Sequence, residues 1–174
     1  WRGRPGPVFL ELPLDVQATQ VPEDWAHVPL STNTNPSTTV TSPDTDEHLV
    51  ADVAARISRA ERPVLLLGGG LSHRQAKNLQ SQLAGLKLPI MTTWNGADRY
   101  SSDHVNYSGR PNTWGQRSSN LILQQADLLL AVGSRLGLQQ TGFNWRSFVP
   151  LGEVIQVDID PAELAKPNPQ TALT

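Results

Sequence analysis

The sequence predicts an α/β domain built around a parallel β-sheet. The first observation is an aliphatic run, residues 64–67, bounded by Pro63 and the glycines 68–70. Such a run fits a strand buried on both faces, as parallel sheets require, because a half-exposed strand would alternate. The second observation is a helix-like segment directly after the glycines, and the third is another apolar run at 87–92. A strand, a helix and a strand with short connections predict a βαβ crossover and hence a parallel sheet.

The residues before this unit are predicted to form a short strand followed by a linker. Residues 8–12 have a strand-like pattern closed by Pro13. Residues 18–44 are rich in Pro, Thr, Ser and Asn and are typical of an extended linker. Trp25 and Val28 are expected to fix this linker to a neighbouring surface, with a flexible tail as the alternative.

Two segments have apolar residues at every third or fourth position, which predicts helices with one buried face. The first begins at Pro43 and Asp44, and the second spans 72–86 with Ser72 as its cap. The expected inner faces are Leu49, Val50, Val53, Ala54, Ile57 and Ala60 in the first helix, and Ala76, Leu79, Leu83 and Leu86 in the second.

The elements that follow repeat the alternation of helix and strand. A helix is predicted at 118–125, and buried strands at 126–133 and 152–160, after which Pro161 starts a short helix. The irregular stretch at 93–116 is long for a compact domain, and loops of that length are usually functional or disordered. In the loop 139–149, Phe143 and Trp145 are expected to pack in the core or in an interface.

Composition narrows the function classes. A chain of 174 residues holds one good-sized domain. A net charge of -2 and a pI near 6.1 argue against nucleic-acid and membrane-surface roles and leave small soluble ligands or protein partners. There are no cysteines, and the four histidines show no ligand spacing, so we expect no disulfide, no metal site and a cytoplasmic protein. The opening residues 1–5 suggest a chain cut from something longer.

Two glycine turns mark a candidate ligand site. Gly68, Gly69 and Gly70 follow the first strand, and Gly133-Ser134-Arg135 follows the third. Because the strands are parallel, both turns lie at the carboxyl edge of the sheet, where open α/β folds bind ligands. The Arg135 guanidinium is expected to hold a phosphate there, or to form a surface salt bridge. A structural turn without a ligand is the alternative for the glycines.

The last strand ends in Asp158 and Asp160. An acidic residue at this edge often accepts hydrogen bonds from a ribose, and equally often caps the helix that follows.

Four motifs in order resemble the thiamine-diphosphate-dependent enzymes of the acetolactate synthase type. They are residues 3–8 with 12–17 (GRPGPV and LPLDVQ), 62–63 with 68–70, 126–130 with 133–135, and 157–164 (VDIDPAEL). The resemblance implies the end of a pyrimidine-binding domain at 1–17, a linker at 18–44, a central domain at 45–166, and at 167–174 the start of a linker to a diphosphate-binding domain. It also implies a Rossmann-like three-layer fold with a mostly parallel, roughly six-stranded sheet.

In relatives that carry FAD, the nucleotide lies across the carboxyl edge; other relatives hold ADP there, or nothing. The residues that the resemblance places at this site are Gly68, Gly69, Gly70, Thr93, Trp94, Gly133, Ser134, Arg135, Asp158 and Ile159. The chain departs from the flavin pattern in three places. A linker arginine is absent near residues 30–33, residues 137–139 replace a charged pair, and Pro111-Asn112-Thr113-Trp114 replaces a turn with Met and His.

The resemblance implies that thiamine diphosphate and magnesium are held by other domains, so this chain carries no catalytic residue and is inactive alone. The whole enzyme is expected to decarboxylate a 2-oxo acid and pass the acyl carbanion to an acceptor, as a lyase or transferase. Its partners are the remaining domains of the same chain and further subunits, in a homodimer or tetramer.

Three other functions are alternatives, and each would need its own sequence features. A freestanding NAD-dependent oxidoreductase would need the full glycine spacing, but Ser72 and His73 stand where the last glycine would fall, and Tyr100 and Tyr107 have no lysine four residues on. An NAD-consuming deacetylase would need a catalytic histidine and usually zinc cysteines, whereas His73 and His104 are expected at the surface. A pure subunit-interaction domain differs from a central domain only in leaving the edge empty.

Overall fold

The computed structural model describes residue 7, residues 9–23 and residues 46–172. The chain divides into two compact units, Trp1–Thr45 and Asp46–Thr174. In the first unit, the described residues form a short helix, α1 (Leu14–Gln17). The strand predicted at 8–12 is wrong for residues 9–12, which have no strand structure. Phe9 and Leu10 are 87% and 79% exposed, and an extended segment without a paired neighbour gains no sheet hydrogen bonds.

Residues 24–45 lie outside the described residues, and so do the predictions for Trp25, Val28 and the helix start at Pro43 and Asp44. The second unit then alternates helices and strands as the sequence predicts. In order, its elements are α2 (Glu47–Arg59), β1 (Pro63–Leu67), α3 (His73–Gly85), β2 (Ile90–Thr92), α4 (Arg117–Gln125), β3 (Leu128–Val132), α5 (Leu138–Thr141), β4 (Glu153–Val157) and α6 (Pro161–Leu164), with 3₁₀ helices at Trp94–Gly96 and Trp145–Ser147.

The four strands form a parallel sheet in the order β2-β1-β3-β4. The predicted parallel α/β fold is confirmed, but the described residues form four strands and not six. Backbone pairing continues by one residue at each edge. Ile90 of β2 forms a parallel bridge with Tyr107, and the Ala172 N–H donates to the Val154 carbonyl of β4 at 2.8 Å.

Apolar side chains cover both faces of the sheet, which explains why β1 is apolar at successive positions. Val64 and Leu66 pack on one face with Leu123 of α4, whereas Leu65 and Leu67 pack on the other. The second face is covered by Ala76 and Leu83 of α3. Helices therefore contact both faces of the sheet, as in a three-layer α/β domain.

Helix α3 begins at the predicted cap. The Ser72 hydroxyl accepts from the Gln75 N–H, and the Gln75 side chain accepts from the Ser72 N–H, which completes a capping box. Leu79 and Leu86 were predicted to face inward but are 39% and 41% exposed. The buried residues of the helix are Ala76 and Leu83. Gln80 lies between them, and its amide donates to the Arg99 carbonyl at 2.8 Å.

Helix α2 starts at Glu47, with the Asp46 carboxylate accepting from the His48 N–H. The prediction that Leu49 and Val50 belong to a buried face is wrong, because they are 39% and 53% exposed. Val53 and Ile57 are half-buried. The helix packs through its later turns, where the Arg56 guanidinium also bonds Glu153 at 2.7 Å.

Asp127 joins the start of β3 to the start of β1. Its carboxylate accepts from the Glu61 N–H at 2.8 Å and from the Arg62 N–H at 2.9 Å. Burial by itself would raise the pKa of Asp127, but these hydrogen bonds outweigh it, and the pKa lies below its ordinary value. The motif Ala126-Asp127-Leu128 thus fixes where the two central strands begin. Within the described ranges, no helix is long and apolar enough to cross a bilayer.

Candidate functional site

The ten predicted site residues follow the carboxyl ends of four neighbouring strands. Gly68–Gly70 follow β1, Thr93 and Trp94 follow β2, Gly133–Arg135 follow β3, and Asp158 and Ile159 follow β4. Because all four strands are parallel, these segments leave the sheet at the same edge. The edge that the sequence predicts as a ligand site is therefore a continuous edge of the observed sheet.

The two glycine turns pack directly against each other. A Cβ on Gly68 would lie 2.2 Å from the Gly133 carbonyl oxygen, and one on Gly70 would lie 2.8 Å from the same atom. The Gly70 N–H donates to that oxygen at 2.8 Å, and Gly133 has a φ of +65°. The space that a side chain would fill is therefore occupied by backbone. Glycine is required here for contact between the turns, whether or not a ligand binds.

The end of β2 adds a third segment to this contact. The Thr93 N–H donates to the Leu67 carbonyl at 2.9 Å. A Cβ on Gly96 would lie 2.7 Å from that carbonyl oxygen, and one on Gly69 would lie 2.9 Å from the backbone carbonyl oxygen of Asn95. The 3₁₀ helix after β2 thus rests on the first glycine turn. Asn95 and Gly96 were not among the predicted residues, although glycine again follows a strand end here.

Trp94 projects from this turn and stacks with Trp114. The ring centroids are 6.1 Å apart, with an angle of 14° between the planes. The two residues are 57% and 62% exposed. Trp114 lies in the turn 111–114, but it was not among the predicted site residues. Its signal in the sequence is a tryptophan within the long irregular stretch 93–116.

The turn that carries Trp114 is held by hydrogen bonds to several elements. The Asn112 side chain, which is buried, accepts from the Trp114 N–H at 2.7 Å. The Thr113 N–H donates to the Gln139 carbonyl of α5 at 2.9 Å, and the Asn120 amide of α4 donates to the Asn112 carbonyl at 3.0 Å. These contacts connect the turn to the chain that follows β3.

Arg135 stands at the edge with its side chain 64% exposed. Its nearest carboxylate oxygen among the ion pairs of the described residues is Glu163 Oε1, 3.9 Å from Nη1. Glu163 lies closer to the Lys166 ammonium, at 2.9 Å, and that ammonium also donates to the Arg135 carbonyl. The surface salt bridge that the sequence offered is therefore long, and the guanidinium remains accessible to an anion in solvent.

The two acidic residues after β4 both accept hydrogen bonds from nearby backbone N–H groups. The Asp160 carboxylate caps α6 by accepting from the Ala162 N–H at 3.0 Å, and the Asp158 carboxylate accepts from the Asp160 N–H at 3.0 Å. The capping interpretation thus holds for Asp160. Ile159 is 71% exposed. Behind this edge the buried Gln156 amide donates to the Ser134 carbonyl at 3.0 Å and supports the second glycine turn.

A cavity of about 670 Å³ lies between α3 and the stretch 97–116, and none of the ten predicted residues lines it. Among its lining residues, His73 bonds Asp98 and lies 2.9 Å from the Arg99 guanidinium. The His73 hydrogen bond holds the pKa of the Asp98 carboxyl below its ordinary value. His73 is exposed as expected, but it belongs to a polar cluster.

Within residues 9–23 and 46–172, no group of three or more His, Asp or Glu side chains is arranged to hold a metal ion.

A parallel sheet with helices on both faces, and with glycine turns meeting at its carboxyl edge, defines a Rossmann-like α/β domain. The family model described as "Thiamine pyrophosphate enzyme, central domain" matches residues 50–173. The chain belongs to this family.

Similar proteins are acetolactate synthases. The chain is 35% identical over 167 residues to "Acetolactate synthase isozyme 2 large subunit" of Escherichia coli (strain K12), covering 94% of this chain and 28% of that protein. It is 35% identical over 164 residues to the isozyme 1 large subunit of the same organism, with the same shares covered. It is 34% identical over 165 residues to "Acetolactate synthase" of Mycobacterium bovis, covering 94% and 26%. The chain thus spans roughly a quarter of the length of these relatives.

Proposed function

We propose that this chain is the central domain of a thiamine-diphosphate-dependent enzyme that decarboxylates a 2-oxo acid and ligates the acyl group to an acceptor. The observation that carries the proposal is the similarity of 94% of the chain to acetolactate synthases. The domain acts as a scaffold and is not catalytic alone. Thiamine diphosphate supplies carbanion stabilisation when bound to the other domains, and the protein's share is to position it.

The proposed boundaries are the end of a pyrimidine-binding domain at 1–17, a linker at 18–44, the central domain at 45–166, and a second linker from 167. The separation of the compact unit Asp46–Thr174 from the residues before it supports the second boundary. The proposed sheet has about six strands, and the pairing of Tyr107 and Ala172 at its two edges supports this number. The cytoplasmic location stays a prediction from the cysteine-free sequence.

The test of this function uses a panel of small 2-oxo acids with thiamine diphosphate and Mg²⁺. The enzyme that contains this domain is expected to release CO₂ only with thiamine diphosphate present, and this chain by itself is expected to release none. Release without thiamine diphosphate would overturn the enzyme class. Release of CO₂ by the isolated chain would overturn the scaffold role, because a scaffold domain does not catalyse decarboxylation by itself.

The proposal includes a nucleotide site for FAD or ADP at the carboxyl edge. Three features support it: four strand ends converge there, the exposed Arg135 guanidinium is available for a phosphate, and Trp94 presents an exposed ring. Arg135 would contact the diphosphate.

A second candidate is a bracing scaffold whose edge stays empty. The contact between Gly68 and Gly133 favours it, because it accounts for those glycines by packing alone. A calorimetric titration with nucleotides separates the two candidates. We further propose that the parent enzyme is at least a homodimer, and a monomer in analytical sedimentation would contradict this.

A further inference from the structure

We propose that the cavity between α3 and the stretch 97–116 binds a small organic anion, whose carboxylate or phosphate group is held by Lys77 and Arg110. This site is independent of the proposed nucleotide site, because neither the ten residues predicted at the carboxyl edge nor the pair Trp94 and Trp114 lines the cavity. Its walls come from α3, from the turns at 97–102 and from Tyr107, Arg110 and Gln116.

Lys77 and Arg110 are two cations of the lining that are available to a ligand. Among the ion pairs of the described residues, none involves Lys77 or Arg110. Lys77 lies in the second turn of α3 and is exposed, whereas Arg110 is half-buried. A guanidinium that is partly removed from water and has no carboxylate partner binds an oxyanion more strongly than a fully hydrated one. Both charges therefore favour an anion that enters from solvent.

The carboxylate of the lining, Asp98, has its charge compensated within the protein. One of its oxygens is bonded to His73 and the other accepts from the Arg99 guanidinium. Arg99 is 7% exposed, and its Nε donates to the Leu71 carbonyl. Because the charges of Arg99 and Asp98 offset each other, the cavity keeps the positive charge of its two other cations.

The size and the neutral groups of the cavity suit a metabolite. Its volume of about 670 Å³ lies within the range of about 300–1,000 Å³ that is typical of ligand pockets. Ser101 and Ser102 contribute hydroxyl groups, and Tyr107 contributes a half-buried ring and a phenol oxygen. Hydroxyl groups donate to the oxygens of an acid, and the ring offers apolar contact to its carbon skeleton.

The two sides of the cavity are held together by hydrogen bonds that need no ligand. The Gln80 amide of α3 donates to the Arg99 carbonyl at 2.8 Å. From the opposite side, the Asn106 amide donates to the Leu83 carbonyl of α3 at 3.1 Å. An anion that enters a cavity fixed in this way orders little of the chain, so less of its binding free energy is lost.

The test measures dissociation constants of inorganic phosphate and malonate by NMR titration at constant ionic strength. Arg110→Gln is expected to weaken binding about 10-fold or more, the scale of a hydrogen bond to a charged group. Lys77→Gln is expected to weaken it about two- to fivefold, because an exposed charge is well hydrated. Arg74→Gln is the matched control and should bind like the parent, since Arg74 is exposed on the same helix but does not line the cavity.

The preferred probe identifies the class of ligand. Tighter binding of phosphate would indicate a phosphate ester, and tighter binding of malonate would indicate a carboxylic acid. Either result supports the site only if Arg110→Gln weakens the tighter probe. In the parent protein, saturable shifts are expected for the amides of residues 77–80 and 97–102, and their absence with both anions would overturn the site.

Arg135→Ala separates this site from the carboxyl edge and is expected to bind phosphate in the cavity like the parent. Loss of phosphate binding in Arg135→Ala, with parent-like affinity in Lys77→Gln and Arg110→Gln, would place the anion at the edge and overturn the cavity site. If Arg110→Gln does not fold, Lys77→Glu carries the test. That charge reversal is expected to abolish binding, and parent-like affinity would contradict the site.

Discussion

Gly68 and Gly133 meet backbone to backbone: a Cβ on Gly68 would lie 2.2 Å from the Gly133 carbonyl oxygen. These residues directly follow β1 and β3, the two central strands of the sheet. The Gly68 N–H donates to the Val132 carbonyl at 2.8 Å, so ladder-like pairing continues into the turns. The carboxyl edge is therefore built on a contact that tolerates no side chain.

Gly68→Ala is expected to lower the free energy of unfolding by about 1–3 kcal/mol or more, the range for overpacked sites. The added methyl group must displace backbone on β3 because the contacting atoms are not flexible side-chain ends. Urea denaturation followed by circular dichroism measures the change. Gly137→Ala is the matched control, because its added Cβ meets nothing within 4 Å, and its stability is expected to stay close to the parent. Equal stability of both variants would contradict the packing role.

Arg135→Ala is expected to weaken ADP binding by about 1.5–3 kcal/mol, the scale of a hydrogen bond to a charged group. The guanidinium is exposed, and its ion pair with Glu163 is long, at 3.9 Å, so the change removes little else. Calorimetric titration measures it. Arg59→Ala is the control, because Arg59 ends α2 at the opposite edge, where β1 begins. An ADP affinity that Arg135→Ala leaves unchanged argues against the phosphate contact.

Asp127→Ala is expected to cost about 1–3 kcal/mol of stability, because the Glu61 and Arg62 N–H groups lose their acceptor. The folded pKa of Asp127 lies below the unfolded value, so its contribution is complete above the unfolded pKa and disappears as pH falls through the folded pKa. The stability difference between parent and variant should therefore shrink below about pH 4. Urea denaturation over a pH series measures it, and a difference that grows in acid would contradict this role.

Ser72→Ala is expected to destabilise the domain by about 0.5–2 kcal/mol through loss of the cap of α3. The side chain accepts from the Gln75 N–H, which then has no cap. Ser81→Ala, in the exposed middle of the same helix, is the control and should change stability by less than about 0.5 kcal/mol. Thermal denaturation compares them, and equal melting temperatures would show that the capping box contributes nothing.

The sequence predicted the core of the fold well where burial alone decides it. The apolar runs at 64–67 and 126–133 identified β1 and β3, since a strand covered on both faces must be apolar at successive positions. The strand predicted at 8–12 is wrong for residues 9–12, because the pattern describes side chains and not whether a neighbouring strand is present. The prediction for Leu79 is wrong because the buried residues of α3 are Ala76 and Leu83, and apolar spacing alone does not show that Leu79 lies at the exposed margin of that face.

The sequence predicted that the glycine turns lie at one edge of the sheet but not how they contact each other. Parallel strands place Gly68 and Gly133 at one edge by topology alone. Their mutual contact is a close approach of backbone to backbone, which no side-chain pattern reveals. The stacking of Trp94 on Trp114 depends on how the stretch 93–116 folds. Within that stretch the Trp114 N–H donates to the Asn112 side chain, and the Thr113 N–H donates to the Gln139 carbonyl. The second contact joins residues far apart in the chain and has no periodic signal in the sequence.

The most direct test of a nucleotide-binding central domain is isothermal calorimetry of this protein with FAD, ADP and NAD, with circular dichroism to confirm that it is folded. We predict saturable binding of FAD or ADP. Binding of NAD alone would support a freestanding oxidoreductase instead. A folded protein that binds none of the three would contradict the nucleotide site and leave a bracing scaffold.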